Sequence, residues 1–284
     1  MARFLPNISR KEASRMKDKI SLAGDLGSGK STVSEILIER LGAEYYSTGA
    51  IVRSVAAKRG MTVVELNKYM ETHPELDHEI DEGIAALSDV DKLLIIDSRM
   101  AWHFTRGTFK VYLSVDIETS ALRIMNANRA GEHAATLDET VAETRARRES
   151  EKKRYFEQYG VDIKDLTNYD LVVDTTAATP AEVAERIIDG FCRWQADKSY
   201  RAAYISTERI NFPDDEPDDE KMSALASGEL SEIPVLVERD GEFYLKYGLE
   251  AALTASFEMQ PFIEARIEAG EIPDGEFVKM KNSL

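Results

Sequence analysis

The chain has 284 residues, 52 of them acidic and 36 basic, so its formal net charge is −16 at pH 7. With 43% hydrophobic and 31% charged residues it has the composition of a folded globular protein, which excludes the disordered and fibrous classes. Its longest clean apolar run, Leu93–Ile96, is far short of a membrane span, and the single cysteine, Cys192, excludes an internal disulfide or a cysteine-built metal cage.

The stretch from Met1 to Lys19 alternates charge with isolated apolar residues and has no apolar centre, so it does not read as a secretory leader. A cytoplasmic protein with no membrane partner is expected. The charge is uneven. Residues 200–284 hold 19 acidic and 8 basic side chains, a net of −11, against 33 and 28, a net of −5, in residues 1–199. An acidic tail argues against a nucleic-acid partner, because phosphate backbones need Lys and Arg to displace counterions.

Short apolar runs alternate with helical patterns through the first two-thirds. Lys19–Gly24, Ala43–Thr48, Lys92–Asp97, Phe109–Asp116 and Tyr169–Thr175 read as strands buried on both faces, the habit of parallel sheets. Between them, Ser31–Leu41 places Val33, Ile36, Leu37 and Leu41 on one helical face with Gly42 at the stop. Thr62 and Glu65 form a capping box that opens a helix to about Met70. His73–Pro74 breaks that pattern, Leu76 to Leu87 resumes it, and Asp138 to Tyr159 is a long polar helix. Thr179–Pro180 opens the last helix of this region. The alternation implies a doubly wound α/β domain over residues 1–199.

Residues 200–284 read as a small acidic α+β domain. Asn211–Glu220 holds two prolines and six acids and reads as a solvated linker. Ile233–Val237 and Phe243–Lys246 flank Asp240–Gly241 as a hairpin longer than the tightest type. Helices are expected around Gly248–Phe257 and Pro261–Ala269.

Gly24, Asp25, Leu26, Gly27, Ser28, Gly29, Lys30 and Ser31 fit G-x-x-x-x-G-K-[ST], between a strand and a helix. The glycines let successive N–H groups turn inward on a phosphate, and the helix N-terminus behind adds partial positive charge. Lys30 can reach the outer phosphates of a nucleoside triphosphate, Ser31 can hold Mg²⁺, and Thr32 lies near the α-phosphate. Asp97 ends an apolar strand at the sheet's carboxyl edge, where ligands bind, and can share the Mg²⁺ shell. Arg99 can grip an acceptor phosphate as a bidentate fork. Ser47 and Arg53 open a helix facing the same edge.

Arg123, Arg129, Arg145, Arg147, Arg148 and Arg154 fall within 32 residues. Two polar helices joined over 130–136 would make a lid that carries arginines over a transferring phosphoryl group and excludes water. Arg129 and Arg147 are the expected functional pair, and Arg145 or Arg148 the solvated one. His73, His78, His103 and His133 lack metal-ligand spacing.

These residues resemble the small nucleoside monophosphate kinases, most closely the short-type cytidylate kinases. The likeness runs from residue 19 to about 190. It rests on the Gly24–Ser31 loop, Ser47–Arg53, Gly60-Met61-Thr62, Glu65–Tyr69, Pro74–Asp77, Asp97-Ser98-Arg99, Arg147 with Glu149–Tyr155, Tyr159–Ile163 and Tyr169–Val172. It implies a five-stranded parallel sheet of the P-loop type with a lid. It also implies ATP and Mg²⁺, and phosphoryl transfer to CMP or dCMP. Arg53 and Arg99 would hold the acceptor phosphate, and Arg129 and Arg147 would come from the lid. Ser98 stands where many relatives have Gly. The alternatives are a P-loop kinase with a non-standard acceptor (a modified nucleotide, a base in DNA or a small metabolite) and a non-catalytic nucleotide-sensing switch. The C-terminal order is similar to ParB-like domains, although Tyr247–Ala252 lacks their His and Arg. That implies a degenerate module that binds a protein partner or mediates oligomerisation.

Overall fold

A computed structural model describes residues 18–70, 72–127, 136–258 and 260–279. Arg129 and all of the lid turn expected at 130–136 except Thr136 lie outside the described residues. Among the described residues eleven strands form one sheet in the order β11-β7-β9-β8-β10-β6-β5-β4-β1-β3-β2. The first five are β1 (Lys19–Gly24), β2 (Glu44–Ser47), β3 (Leu94–Asp97), β4 (Thr108–Ser114) and β5 (Leu171–Asp174). They are all parallel, with Ile20 opposite both Ile95 and Phe109, and Val111 opposite Leu171.

The pleat explains the unbroken apolar runs, because side chains alternate between two covered faces. Ile20, Leu22, Ile95, Val111, Leu113, Leu171 and Val173 face one core. It is closed by α1 (Lys30–Leu41) and α8 (Pro180–Ala196) through Val33, Leu37, Val183, Ile187 and Phe191. Leu94 and Ile96 face the other side with Ile84 of α4 (Pro74–Ala86) and Ala101 of the short α5 (Ala101–Phe104). The capping box at Thr62–Glu65 forms, with both hydrogen bonds present, ahead of α3 (Val63–Met70). Before it, Ser47 caps α2 (Thr48–Lys58) by accepting from the Ala50 N–H. After β4 come α6 (Ile117–Asn126) and the 23-residue α7 (Leu137–Tyr159), which ends at a left-handed Gly160.

The expected boundary at 199/200 falls in the turn between α8 and β6 (Ala202–Ile205). Beyond it the sheet continues. β6 adds to β5 in parallel, and β10 (Ile263–Ile267) adds to β6 in reverse. β8 (Val235–Arg239), β9 (Glu242–Tyr247), β7 (Ile210–Pro213) and β11 (Phe277–Lys279) complete the edge. Tyr112, Tyr169 and Val172 share one core with Phe212, Leu236, Phe243 and Leu245.

Three expectations are corrected. Pro261–Ala269 is not helical. Ile263 and Ala265 point inward while Glu264 and Arg266 are less buried, a period of two that makes it β10. The acidic stretch Asn211–Glu220 is no plain linker: it begins inside β7 and ends in α9 (Asp219–Ser227), capped by the Asp218 carboxylate. The hairpin has the tightest loop after all, since Arg239 pairs with Glu242 and leaves only Asp240 and Gly241 between the strands.

Candidate functional site

Strand β1 lies between β3 and β4, so the loop that follows it opens at the carboxyl edge beside Asp97. Gly24 is obligatory there: its φ is +149°, and a Cβ would lie 2.4 Å from the Leu113 carbonyl oxygen. At Gly27 a Cβ would come within 2.7 Å of the Ser120 carbonyl of α6. The loop is also pinned by side chains. Ser28 Oγ donates to the Asp25 carbonyl at 2.8 Å, and Ser120 Oγ donates to the Leu26 carbonyl at 2.6 Å. Arg123 spans from the Gly27 carbonyl (3.4 Å) to the Thr175 carbonyl (2.7 Å), tying the loop to the end of β5. Gly29 takes a left-handed conformation as the N-cap of α1, which leaves Ser31 and Thr32 exposed on its first turn.

Lys30 folds back over the loop and donates to the carbonyls of Gly24 (3.0 Å) and Asp25 (2.9 Å). Burial and the Arg99 guanidinium push its ammonium down to about 7, against the pull of Asp97, Asp25 and Glu151. A cation so weakly held is poised for a polyanion. Asp97 accepts from the Tyr45 hydroxyl at 3.0 Å.

The expected arginines converge unequally. Arg99 and Arg147 both grip Glu151, at 2.9 Å and 3.3 Å, so one carboxylate of α7 joins a strand-end arginine to a lid-helix arginine. Burial opposes ionisation of Glu151, but those two guanidiniums hold it down at about 2. Arg53 is exposed on α2, with its guanidinium near Gly49. Among the described residues it makes no hydrogen bond or ion pair to the loop.

Two side chains at the loop, Arg148 and Lys164, were not singled out as site residues by the sequence reading. Arg148, expected to be solvated if Arg145 was not, lies half-buried beside the loop with Nε 3.8 Å from Asp25 Oδ1. Arg145 is the exposed one. Asp25 itself is a hub. Its carboxylate accepts from Tyr112 Oη (2.9 Å), the Val115 N–H (3.1 Å) and Lys164 Nζ. Burial alone would raise its pKa, yet Lys164 and Arg148 hold it well below the usual carboxylate range. The signal in the sequence was Asp25: a carboxylate inside a phosphate loop needs a cation beside it. That the cation is Lys164, 139 positions away, was not legible.

A carboxyl edge with an inward-turned loop, a Lys, and three arginines held by two carboxylates can neutralise charge spread over phosphoryl oxygens. Among the described residues no group of three or more His, Cys, Asp or Glu could hold a metal by itself.

The sequence model of the cytidylate kinase-like family matches residues 19–177. A cytidylate kinase of Archaeoglobus fulgidus is 36% identical over 171 residues, 60% of this chain and 92% of its own. One from Thermoplasma volcanium is 38% identical over 175 residues, covering 60% and 90%. An S-adenosylmethionine-dependent nucleotide dehydratase of Lacinutrix mariniflava is 38% identical over 177 residues. That match covers 62% of this chain but only 36% of the relative, so the chain spans about a third of the relative's length. Among solved structures, shikimate kinase from Acinetobacter baumannii aligns over 65% of this chain and 98% of its own at 18% identity with a TM-score of 0.44, too distant to add to the family reading.

Proposed function

The chain belongs to the cytidylate kinase-like family, and from that premise we propose that it transfers the terminal phosphoryl group of ATP to a pyrimidine nucleoside monophosphate, CMP or dCMP. The observation that carries this reading is the convergence of Lys30, Arg99, Arg147 and Arg148 on the Gly24–Ser31 loop through Asp25 and Glu151. An oxygen of the acceptor phosphate attacks the γ-phosphorus, the bond to the β–γ bridging oxygen breaks, and ADP leaves. The attacking oxygen is already anionic, so no side chain need act as nucleophile, and positioning with charge neutralisation supplies the rate.

The loop N–H groups and Lys30 hold the donor phosphates. Arg99 binds the acceptor phosphate, and Arg147 and Arg148 approach from α7, with Arg129 assigned to the same lid. Mg²⁺, when bound with ATP, supplies further charge neutralisation. Ser31 and Asp97 fit it as hard oxygen donors, few enough for an ion that keeps phosphate and water in its shell. The acidic C-terminal region, at net −11, favours a protein partner or a second copy of the chain over nucleic acid.

The test is ADP release from ATP and Mg²⁺ with CMP, dCMP, UMP, dTMP, AMP and GMP in turn. Turnover on CMP or dCMP that Lys30→Met removes is expected. Equal turnover by Lys30→Met would overturn the reading. The Lacinutrix relative, named for a nucleotide-modifying reaction in a longer chain, favours a second reading in which the acceptor is a modified nucleotide. Silence on all six monophosphates with retained ATP binding would select it.

A further inference from the structure

Asp25 belongs to the phosphate loop, yet its carboxylate turns toward β4 and the chain that follows α7. Oδ1 accepts from Tyr112 Oη at 2.9 Å and from Lys164 Nζ, and Oδ2 accepts from the Val115 N–H at 3.1 Å. The side chain is 7% exposed. A buried carboxylate in a loop built for phosphates is a rival of the ligand, because it repels the incoming anion and attracts the same cations.

Arg148 is the cation at issue. Its Nε stands 3.8 Å from Asp25 Oδ1, within ion-pair range but beyond a hydrogen bond. Its Nε and Nη2 are buried and make no hydrogen bond among the described residues. The cause lies on the carboxylate. Each carboxylate oxygen has two lone-pair directions, and Tyr112 and Lys164 together take those of Oδ1. Arg148 is drawn by the charge and meets an oxygen already bonded. Lys164 is held in place without Arg148. Its Nζ also donates to Tyr112 Oη at 2.8 Å, and its backbone N–H donates to Asp162 Oδ1 at 2.8 Å. Asp162 in turn pairs with Lys152 of α7 at 3.5 Å.

At Asp25, therefore, two cations face one carboxylate, and one positive charge is left over for a phosphoryl group. Without Lys164 the count is one to one. Oδ1 would regain a lone pair, and a shift of about 1 Å would bring Arg148 into a hydrogen bond with it. A small cavity among Arg99, Arg148, Lys164 and Tyr169 gives room for that movement.

We infer that Lys164 is a positioning residue: by occupying Asp25 it keeps the Arg148 guanidinium available to the transferring phosphoryl group. The inference rests on the reading of the chain as a nucleoside monophosphate kinase and deepens it by naming what stops a loop carboxylate from capturing an arginine of α7.

The experiment measures kcat and KM for ATP, with CMP as acceptor, in the wild type, Lys164→Met and the double variant Lys164→Met, Asp25→Asn, with the melting temperature alongside. Arg148 acts on charge that develops during transfer, so Lys164→Met should lower kcat at least about tenfold and leave KM for ATP within about threefold. Asp25→Asn removes the rival charge, and its amide still suits the Val115 N–H and the Tyr112 hydroxyl. The double variant should therefore regain most of the lost kcat. A purely structural role gives the opposite order, each lost bond adding to the damage. A kcat for Lys164→Met within about twofold of wild type, or a double variant no faster than the single one, would overturn the inference. If Lys164→Met fails to fold, the double variant decides, and a kcat at least about tenfold below wild type counts against the inference. A wild type silent on every monophosphate defeats the kinase reading instead. The nitrogen NMR signals of the Arg148 guanidinium, assigned by their loss in Arg148→Lys, then read the geometry without turnover. The group should rotate freely about its Nε–Cζ bond in the wild type and be held in Lys164→Met, and identical signals in the two would sink the proposal.

Discussion

Strands β1 to β5 and the strands that follow β5 present polar groups to one another at the same edge, but to different ends. In the parallel half, Lys30, Arg99 and Arg148 reach that edge with their charges incompletely matched, and Arg148 keeps two buried nitrogens without hydrogen bonds among the described residues. In the C-terminal half, Arg209 reaches the ends of β4 and β5 and has both terminal nitrogens bonded. It donates to Ser114 Oγ (2.7 Å), Asp174 Oδ1 (3.0 Å) and the Gly241 carbonyl (2.6 Å), and its guanidinium lies 4.9 Å from the centre of the Phe243 ring. The other Asp174 oxygen accepts from the Ser206 N–H at 3.2 Å. A buried cation bonded at both terminal nitrogens holds structure, whereas one with buried nitrogens left unbonded is available to a ligand.

The largest effect is expected where that contrast is broken on the Arg209 side. Asp174 is fully buried and the Arg209 side chain is 8% exposed. Replacing Arg209 by Met strands the carboxylate, which costs about 3–5 kcal/mol. Because β6 pairs with β5 and the two halves share one core, denaturant unfolding should remain a single transition at a lower midpoint. The double variant Arg209→Met, Asp174→Leu should recover much of the loss, since both charges go together. Two separated transitions in Arg209→Met would show that the halves unfold independently.

Lys30→Met should do the opposite. Losing the cation aimed at the phosphates is expected to cost about 10²–10³ in kcat, while thermal stability rises. The sign follows from its titration. The folded chain holds the Lys30 proton with a pKa of about 7, against 10.5 in the unfolded chain, so Lys30 opposes folding fully below pH 7. That penalty is relieved as pH climbs from 7 towards 10.5. The stability gained by Lys30→Met should therefore be greatest at pH 6 and shrink steadily towards pH 10. Denaturant titrations at four or five pH values check it, and a gap that widens with pH would contradict the assignment.

The difference between the halves also decides what could be read in the sequence. Lys19–Gly24, Lys92–Asp97 and Phe109–Asp116 were legible because both their faces are buried, so each strand is a continuous apolar run next to a glycine turn or an aspartate. Strands β9 and β10 of the C-terminal half are one-sided. Ile263–Ile267 alternates Ile, Glu, Ala, Arg, Ile, a pattern easily taken for a polar helix when it follows a proline. β7 and α9 hide at the two ends of one acidic run whose charge dominates its composition. In the site, the motif placed Lys30, Asp97 and Arg99 because strand ends and loop spacing are local properties. Arg148 and Lys164 depend on which side of α7 faces the loop and on how the chain returns after Gly160. Adjacent Arg147 and Arg148 look alike in sequence, and only packing separates their partners.

The smallest test concerns the turn that Arg209 holds. Asp240 and Gly241 both have positive φ, +54° and +87°, between paired Arg239 and Glu242. That is the two-residue turn whose twist matches the flanking strands, and it tolerates Asp or Asn but not a residue with an ordinary Cβ preference. Asp240→Asn should change stability by under about 0.5 kcal/mol, and Asp240→Ala should lose about 1 kcal/mol through its left-handed backbone. The turn is fastened at its other residue by the Gly241 carbonyl to Arg209 and the Gly241 N–H to Glu238 Oε1 at 2.6 Å. In an Arg209→Met background one of those fastenings is gone, and the turn can relax. Asp240→Ala should then cost measurably less than it does alone. A double-mutant cycle by chemical denaturation reads the difference, and strict additivity would mean that the turn keeps its conformation without help from the buried arginine.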